Sequence, residues 1–179
     1  MKRPEKSHIL RIRRGRARDV RLLVSLIRGL AKYERLTPDL RVSVKRLRRH
    51  GFGRRKYFDA LLCERGKQVL GYAIYYFAYS SFTCRPVLFI EDLFVLPEER
   101  GRGAGKALMV ALARAAVKQG CQQMEWIVLN WNKPSIQFYE RLGARLDKTW
   151  VLTRLSGERL RRLARLRSEA QRRSPNAVH

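Results

Sequence analysis

The chain has 179 residues, a length that fits one domain and leaves little room for two. Hydrophobic residues make up 45% of it, which is enough for a packed core and excludes an intrinsically disordered chain. Lysine and arginine number 40 against 15 aspartates and glutamates, so the formal net charge is +25. This excess predicts an anionic partner or an anionic cofactor.

Cysteine usage and hydropathy exclude several further classes of protein. Cys63, Cys84 and Cys121 are scattered and lack the spacing of a zinc site or a disulfide framework. We therefore expect no metal and a reducing, cytoplasmic setting. No apolar run reaches the ~18 residues that span a bilayer, and the basic segment 1–18 lacks the apolar stretch of a secretory signal. We expect no membrane partner.

The first half of the chain predicts a short tail, two helices and three strands. Residues 1–8 are predicted to form a flexible basic tail. Leucine and isoleucine recur at helical spacing in 18–33, and a second, basic helix at 40–49 is expected to be broken by Gly51 and Gly53. Strands are predicted before and after these helices, at 8–13, 57–63 and 69–79.

The second half begins with a strand at 87–96, which is apolar except at Glu91 and Asp92. A glycine-rich turn leads into a helix with a broad apolar stripe that starts at Ala107. The elements expected after it are a strand at 124–129, a helix capped by Asn132 and ended by Gly143, a strand or strand pair at 146–155, and an arginine-rich helical tail from 158.

The first candidate site is the segment Arg100-Gly-Arg-Gly-Ala-Gly105, between a strand and a helix. Glycines let backbone N–H groups approach an anion, and a helix start adds free donors and a favourable dipole. The spacing fits neither a P-loop nor the dinucleotide fingerprint. The segment is therefore either a phosphate cradle or an ordinary glycine-rich turn.

The second candidate is the pair Glu91-Asp92 within an apolar strand. Neighbouring strand residues point to opposite faces, so one carboxylate should face a cleft unless a bulge re-aims the pair. Burying a carboxylate is costly unless it is paired or has a function. The alternative is a salt bridge to one of the many arginines.

The third candidate is Tyr139, in the segment from Trp131 to Gly143. A phenol with a pKa near ~10 is protonated at neutral pH and can donate a proton to a leaving group. The alternative is a core aromatic that shares a helical face with Ile136.

Taken in order, these segments resemble the GCN5-related N-acetyltransferase (GNAT) superfamily. The shared pattern is an acidic strand, Arg-x-x-Gly-x-Gly at a helix start, a short strand and Asn-x-Pro-Ser-x-x-Phe-Tyr-x-x-x-Gly. The closer match is to the spermidine/spermine (diamine) acetyltransferase branch. The segments that carry it are Leu30-Ala-Lys-Tyr-Glu34, Gly51-Phe-Gly53, Tyr75-Tyr-Phe77, Glu91-Asp-Leu-Phe-Val95, Arg100-Gly-Arg-Gly103 and Trp131-Asn132.

The resemblance implies an α/β (α+β) fold: a mixed, mostly antiparallel sheet of six to seven strands flanked by helices, with two splayed central parallel strands. It implies a GNAT domain over 9–156, followed by an arginine-rich tail over 157–179, and a homodimer. Acetyl-CoA would be the co-substrate. The cofactor-binding residues it implies are Leu93, Phe94, Val95, Arg100, Gly101, Arg102, Gly103, Ala104, Gly105, Asn132 and Tyr139.

For the chemistry, the resemblance implies that Tyr139 protonates the CoA thiolate and that Glu91 accepts the proton of the amine. Glu34, Glu91, Asp92 and Trp150 would bind the acceptor. The diamine branch has an acidic residue and a tryptophan where this chain has Ser80, Ser81 and Phe82. A preference for long polyamines is therefore not implied.

The function predicted from the sequence is acetyl-CoA-dependent acetylation of a small primary amine, such as a diamine, polyamine or lysine analogue, by direct attack in a ternary complex. One alternative is acetylation of a protein amino group. Another is a nucleic-acid or ribosome-associated module on an acetyltransferase fold. The basic stretches 41–56 and 159–173 favour this alternative. Basic runs are most often solvated faces, and these helices lack interleaved aromatic residues.

Overall fold

A five-stranded mixed sheet organises the fold in the computed structural model, which describes residues 9–166. Strands β1 to β4 pair antiparallel in sequence order, and β5 pairs parallel with β4. The strands are β1 (Leu10–Arg14), β2 (Asp59–Arg65), β3 (Gln68–Ser80), β4 (Arg85–Val95) and β5 (Met124–Trp126).

The described residues also form five α-helices and three short 3-10 turns. The helices are α1 (Val20–Tyr33), α2 (Val44–Phe52), α3 (Ala104–Lys118), α4 (Lys133–Glu140) and α5 (Gly157–Ala164). The 3-10 turns lie at Ala17–Asp19, Thr37–Asp39 and Pro97–Glu99. Within 9–166, no helix has both the length and the apolar character needed to cross a membrane.

The core lies on both faces of the sheet. On one face, Leu23 and Leu26 of α1 pack against alternate strand residues such as Leu62, Tyr72 and Ile74. Because side chains alternate along a strand, the intervening buried residues point to the other face, where α3 packs across β1 to β4. The helices thus cover both faces of the central strands.

The start of α1 is fixed by Asp19, whose carboxylate is almost fully buried. Its two oxygens accept hydrogen bonds from the guanidinium of Arg13 at 2.7 and 3.0 Å, and the backbone N–H of Arg16 donates to it at 2.7 Å. The hydrogen bonds from Arg13 are the main reason that the pKa of Asp19 is lowered. This ion pair joins β1 to the beginning of α1.

The described residues correct the sequence prediction in three places. The sheet has five strands rather than six to seven, because residues 146–155 form no strand. The strand predicted at 124–129 ends at Trp126, where its pairing with β4 stops. Gly51 does not break α2 but lies inside it, where a Cβ atom would come within 2.6 Å of ring carbons of Phe58.

The chain divides into two compact units between Asn132 and Lys133. The first unit contains the sheet with α1, α2 and α3, and the second contains α4 and α5. The predicted boundaries of 9–156 for the catalytic domain and 157–179 for the tail stay predictions, and 1–8 and 167–179 lie outside the described residues.

Candidate active site

The parallel strands β4 and β5 pair over only three residues. The ladder runs from Leu88 opposite Met124 to Ile90 opposite Trp126, while β4 continues to Val95. On its other side, β4 stays paired with β3 as far as Val95. The last residues of β4, including the predicted cofactor-binding segment 93–95, are therefore open on the side of β5 and offer backbone groups to an extended ligand.

The glycine-rich segment after β4 has the geometry of an anion cradle. Gly101 and Gly103 have φ angles of 73° and 87°, in the left-handed region that favours glycine. Gly103 is the N-cap of α3, and the first turn of α3 has no acidic residue. The first N–H groups of a helix lack partners within it, so the amides after Gly103 are available to an anion such as a pyrophosphate.

Glu99 anchors this segment to the body of the first unit. Its side chain is buried, and its Oε2 atom lies 2.7 Å from Nη1 of Arg65 and 3.5 Å from Nη1 of Arg102. The hydrogen bond from Arg65 is the main cause of the lowered pKa of Glu99. Because Arg65 ends β2, the ion pair holds the cradle against the β2–β3 hairpin.

Glu91 and Asp92 lie at a β-bulge in β4. Ile74 is opposite Asp92 and Tyr75 is opposite Ile90, so Glu91 has no partner on β3. Glu91 is exposed, whereas Asp92 is largely buried on the face of the sheet that α1 covers. Within 9–166, neither carboxylate is in an ion pair, which removes the salt-bridge interpretation of the pair.

The carboxylate of Asp92 is part of an acidic cluster. Its Oδ2 atom accepts a hydrogen bond of 3.0 Å from the hydroxyl of Tyr72. Burial raises the pKa of Asp92 to about 6; the hydrogen bond from Tyr72 opposes this rise, and the charges of Glu91 and Glu34 add to it. Burial also raises the pKa of Glu34. A group with these properties attracts a cation and can accept a proton near neutral pH.

Tyr33 joins three of the predicted cofactor-binding segments. Its hydroxyl donates a hydrogen bond of 3.0 Å to Oδ1 of the buried Asn132. Its ring lies 4.1 Å from the guanidinium carbon of Arg100, which is also 5.8 Å from the ring of Phe94. The Nε atom of Arg100 donates to the carbonyl of Val95 at 3.1 Å. The end of β4, the cradle and Asn132 thus meet around one phenol ring.

Tyr139 and Trp150 belong to the second unit. Tyr139 lies in α4, half-buried, with its ring 5.2 Å from that of Phe138. Its carbonyl accepts hydrogen bonds from the N–H groups of Leu142 and Ala144 at 2.9 and 3.1 Å, which end the helix before Gly143. Trp150 is 79% exposed in the irregular segment after α4.

Tyr33 and Tyr72 lie outside the set of site residues predicted from the sequence. Tyr33 belongs to the segment Leu30–Glu34, and its position one residue before Glu34 is the available signal. Tyr72 reaches Asp92 because the register of β3 against β4 places both side chains on the same face of the sheet. No local pattern in the sequence shows that contact.

The sequence model of the acetyltransferase (GNAT) family matches residues 28–144. The chain belongs to this family and is an N-acetyltransferase. The prediction of the family, and of the diamine acetyltransferase branch within it, is confirmed.

Two curated relatives and one solved structure illustrate the match. Thialysine N-epsilon-acetyltransferase of Mus musculus is 38% identical over 166 residues, which cover 86% of this chain and 96% of the relative. Spermidine/spermine N(1)-acetyltransferase-like protein 1 of Homo sapiens is 33% identical over 83% of this chain but only 23% of its own length. An integron cassette protein from the mobile metagenome of V. cholerae superposes with a TM-score of 0.74 at 27% identity, over 88% of this chain and 98% of that structure.

Proposed function

We propose that the protein transfers the acetyl group of acetyl-CoA to the side-chain amine of a small molecule of the lysine-analogue or diamine type. The observation that carries this proposal is the acidic cluster of Glu34, Glu91 and Asp92, which lies without ion-pair partners among the described residues of a chain whose net charge is +25. The name of the mouse relative, a thialysine N-epsilon-acetyltransferase, supports a lysine-like acceptor.

The residues of the cradle fit the anionic end of acetyl-CoA. Gly103 places backbone at the start of α3 without a side chain, and no acidic residue opposes an anion there. The backbone of 93–95 would hold the extended arm, and Tyr33 would keep Arg100 and Asn132 beside it. Acetyl-CoA would supply the thioester carbonyl that the amine attacks.

The acidic cluster would bind the acceptor as a cation and then remove its proton. An ammonium group has no lone pair, so it must become neutral before it attacks a carbonyl. We propose Glu91 as the group that accepts this proton, directly or through water, since it is exposed at the bulge. Asp92 is the second candidate, because burial raises its pKa to about 6, where a carboxylate accepts a proton more readily than at its usual pKa.

Tyr139 is proposed as the general acid that returns a proton to the thiolate of CoA, and Trp150 as part of the acceptor site. Positioning of the two reactants, together with these proton transfers, would supply most of the rate enhancement.

A homodimer is proposed from the resemblance, and sedimentation equilibrium at micromolar concentration would measure it.

A panel of amines tests the proposed acceptor through the release of CoA. Thialysine, lysine and short diamines should give the highest kcat/KM. Spermidine should gain little over a short diamine, because the turn between β3 and β4 offers serines and the fully exposed Phe82 instead of a carboxylate for a second ammonium. Turnover of peptide amino groups alone would overturn the small-amine proposal. A strong preference for spermine would show that the lack of a carboxylate in this turn does not limit the use of long polyamines.

A further inference from the structure

The exposed side of α2 is strongly basic. Between Leu40 and Phe58 the sequence has eight lysines and arginines and no acidic residue. The apolar residues Leu47 and Phe52 pack against the core cluster, which leaves Lys45, Arg46 and Arg49 exposed. Together with His50 and Tyr57, these three residues form the α2 basic surface.

Among the described residues, no carboxylate pairs with the cations of this surface. Elsewhere in the first unit, buried or half-buried arginines are matched by carboxylates, as in the pairs Arg13–Asp19 and Arg65–Glu99. Across residues 9–166, no carboxylate lies within 4.0 Å of the charged groups of Lys45, Arg46 or Arg49. Cations held close together on one helix repel one another, and an external polyanion relieves that repulsion.

The surface is concave and has an aromatic residue at its edge. Lys45, Arg46, Arg49 and His50 line a cavity of about 410 Å³. The ring of Tyr57 lies 5.2 Å from that of His50 in an edge-to-face arrangement, and its backbone N–H donates to the carbonyl of His50 at 2.8 Å. Tyr57 is nevertheless 62% exposed, so one face of a phenol is offered beside a basic hollow.

This combination fits single-stranded nucleic acid better than a lipid surface. Proteins that bind single strands use a basic groove for the phosphates and exposed aromatic rings on which bases stack. A helix that binds in a membrane interface needs an apolar face to insert, and the apolar residues Leu47 and Phe52 of α2 are already packed in the core. We propose that the α2 basic surface binds single-stranded nucleic acid, with phosphates on Lys45, Arg46 and Arg49 and a base stacked on Tyr57. This binding is independent of the proposed acetyl transfer.

Salt-dependent binding of a fluorescent oligouridine tests the proposal. Each phosphate of a single strand that the protein neutralises adds about 0.7 to the magnitude of the slope of log K against log salt concentration. The triple variant Lys45→Gln/Arg46→Gln/Arg49→Gln removes three such contacts, so the magnitude of the slope should fall by about 2. The matched control Lys67→Gln/Arg114→Gln/Lys118→Gln removes the same charge from exposed positions away from α2. It should keep most of the slope. Equal losses in both variants, or no loss in the α2 variant, would overturn the proposal, and thermal melts by circular dichroism show that each variant is folded.

A second variant separates stacking from charge. Tyr57→Ser should weaken oligouridine binding about tenfold, a loss within the range that one stacked base contributes. It should leave binding of heparin, a polyanion without bases, unchanged. Unchanged oligouridine binding would overturn the single-strand assignment. The assignment would also be overturned if binding of phosphatidylserine vesicles depended on the α2 basic surface while binding of oligouridine did not.

Discussion

At the scale of single residues, Asp92 carries the most unusual electrostatics of the candidate site. Its pKa is raised from 3.8 to about 6, mainly by burial. The folded protein therefore holds this proton more tightly than the unfolded chain does. Stability from this group is complete below about pH 4 and is lost as the pH rises through 6, a loss of about 3 kcal/mol.

The variant Asp92→Asn should remove that loss, because an amide does not ionise and can still accept the hydrogen bond from Tyr72. Its free energy of unfolding relative to the native protein should rise by about 3 kcal/mol between pH 4 and pH 7, measured by urea denaturation. Asp39→Asn, in an exposed 3-10 turn, is the control and should follow the native protein. If the free energy of unfolding had the same pH dependence in Asp92→Asn and in the native protein, the raised pKa of Asp92 would be contradicted.

Tyr139 can be tested by the removal of one oxygen atom. Tyr139→Phe keeps the ring beside Phe138, so α4 should stay folded. If the hydroxyl is the general acid, kcat should fall by ~10²–10⁴ while the Kd of acetyl-CoA stays the same. The same change at the exposed Tyr79 is the control and should leave kcat unaltered. Full turnover by Tyr139→Phe would return this residue to a packing role.

At the scale of secondary-structure elements, the two ends of α3 offer a matched experiment on the cradle. Gly103 precedes the helix with a φ of 87°, and Gly120 follows it with a φ of 72°. Alanine at either position is strained by a left-handed backbone and should cost stability, on the order of 1 kcal/mol. Only Gly103→Ala should also weaken acetyl-CoA binding, by at least tenfold in calorimetric titration.

The comparison of Gly103→Ala with Gly120→Ala separates binding from strain. The two glycines lie at opposite ends of a 15-residue helix, so an effect on the anion site should appear at one end alone. Equal affinities for acetyl-CoA in both variants would mean that the glycines of the segment serve only the turn.

Most elements could be predicted from the sequence because their periodicity is strong. The apolar spacing from Leu22 to Leu30 gave α1 almost to the residue, and apolar composition gave β3 and β4. The segment 146–155 failed for a physical reason. A strand forms only where it hydrogen-bonds to a neighbouring strand. Apolar and aromatic residues of this segment, such as Trp150 and Val151, indicate β propensity but do not supply a neighbouring strand.

The anion-binding part of the candidate site has local signals, whereas the acidic part depends on contacts between distant residues. Glycines at a helix start are visible in the sequence, so residues 100–105 alone predict either an anion cradle or an ordinary glycine-rich turn. The hydrogen bond from Tyr72 to Asp92 joins residues 20 positions apart, and the contact between Tyr33 and Asn132 joins residues 99 positions apart. Long-range contacts of this kind are set by tertiary packing, which no local pattern records.

At the scale of the whole molecule, α5 is expected to be dispensable for chemistry. Its residues Leu160 and Leu163 are 51% and 55% exposed, and a helix of eight residues has little stability of its own. A chain that ends at Ser156 should fold and should keep kcat/KM for its amine within a few-fold of the full protein. Loss of soluble protein on truncation would show instead that this segment is structural.

The bulge at Glu91 has a consequence for how such a site can change. Because Ile90 and Asp92 are opposite consecutive residues of β3, a chain that lacks Glu91 would have an uninterrupted ladder in the same register. Both flanking residues would keep the faces they occupy now. One codon gained or lost at this point therefore adds or removes a solvent-facing carboxylate while the sheet and Asp92 stay where they are, a small step by which the charge offered to an acceptor amine can be altered without rebuilding the enzyme.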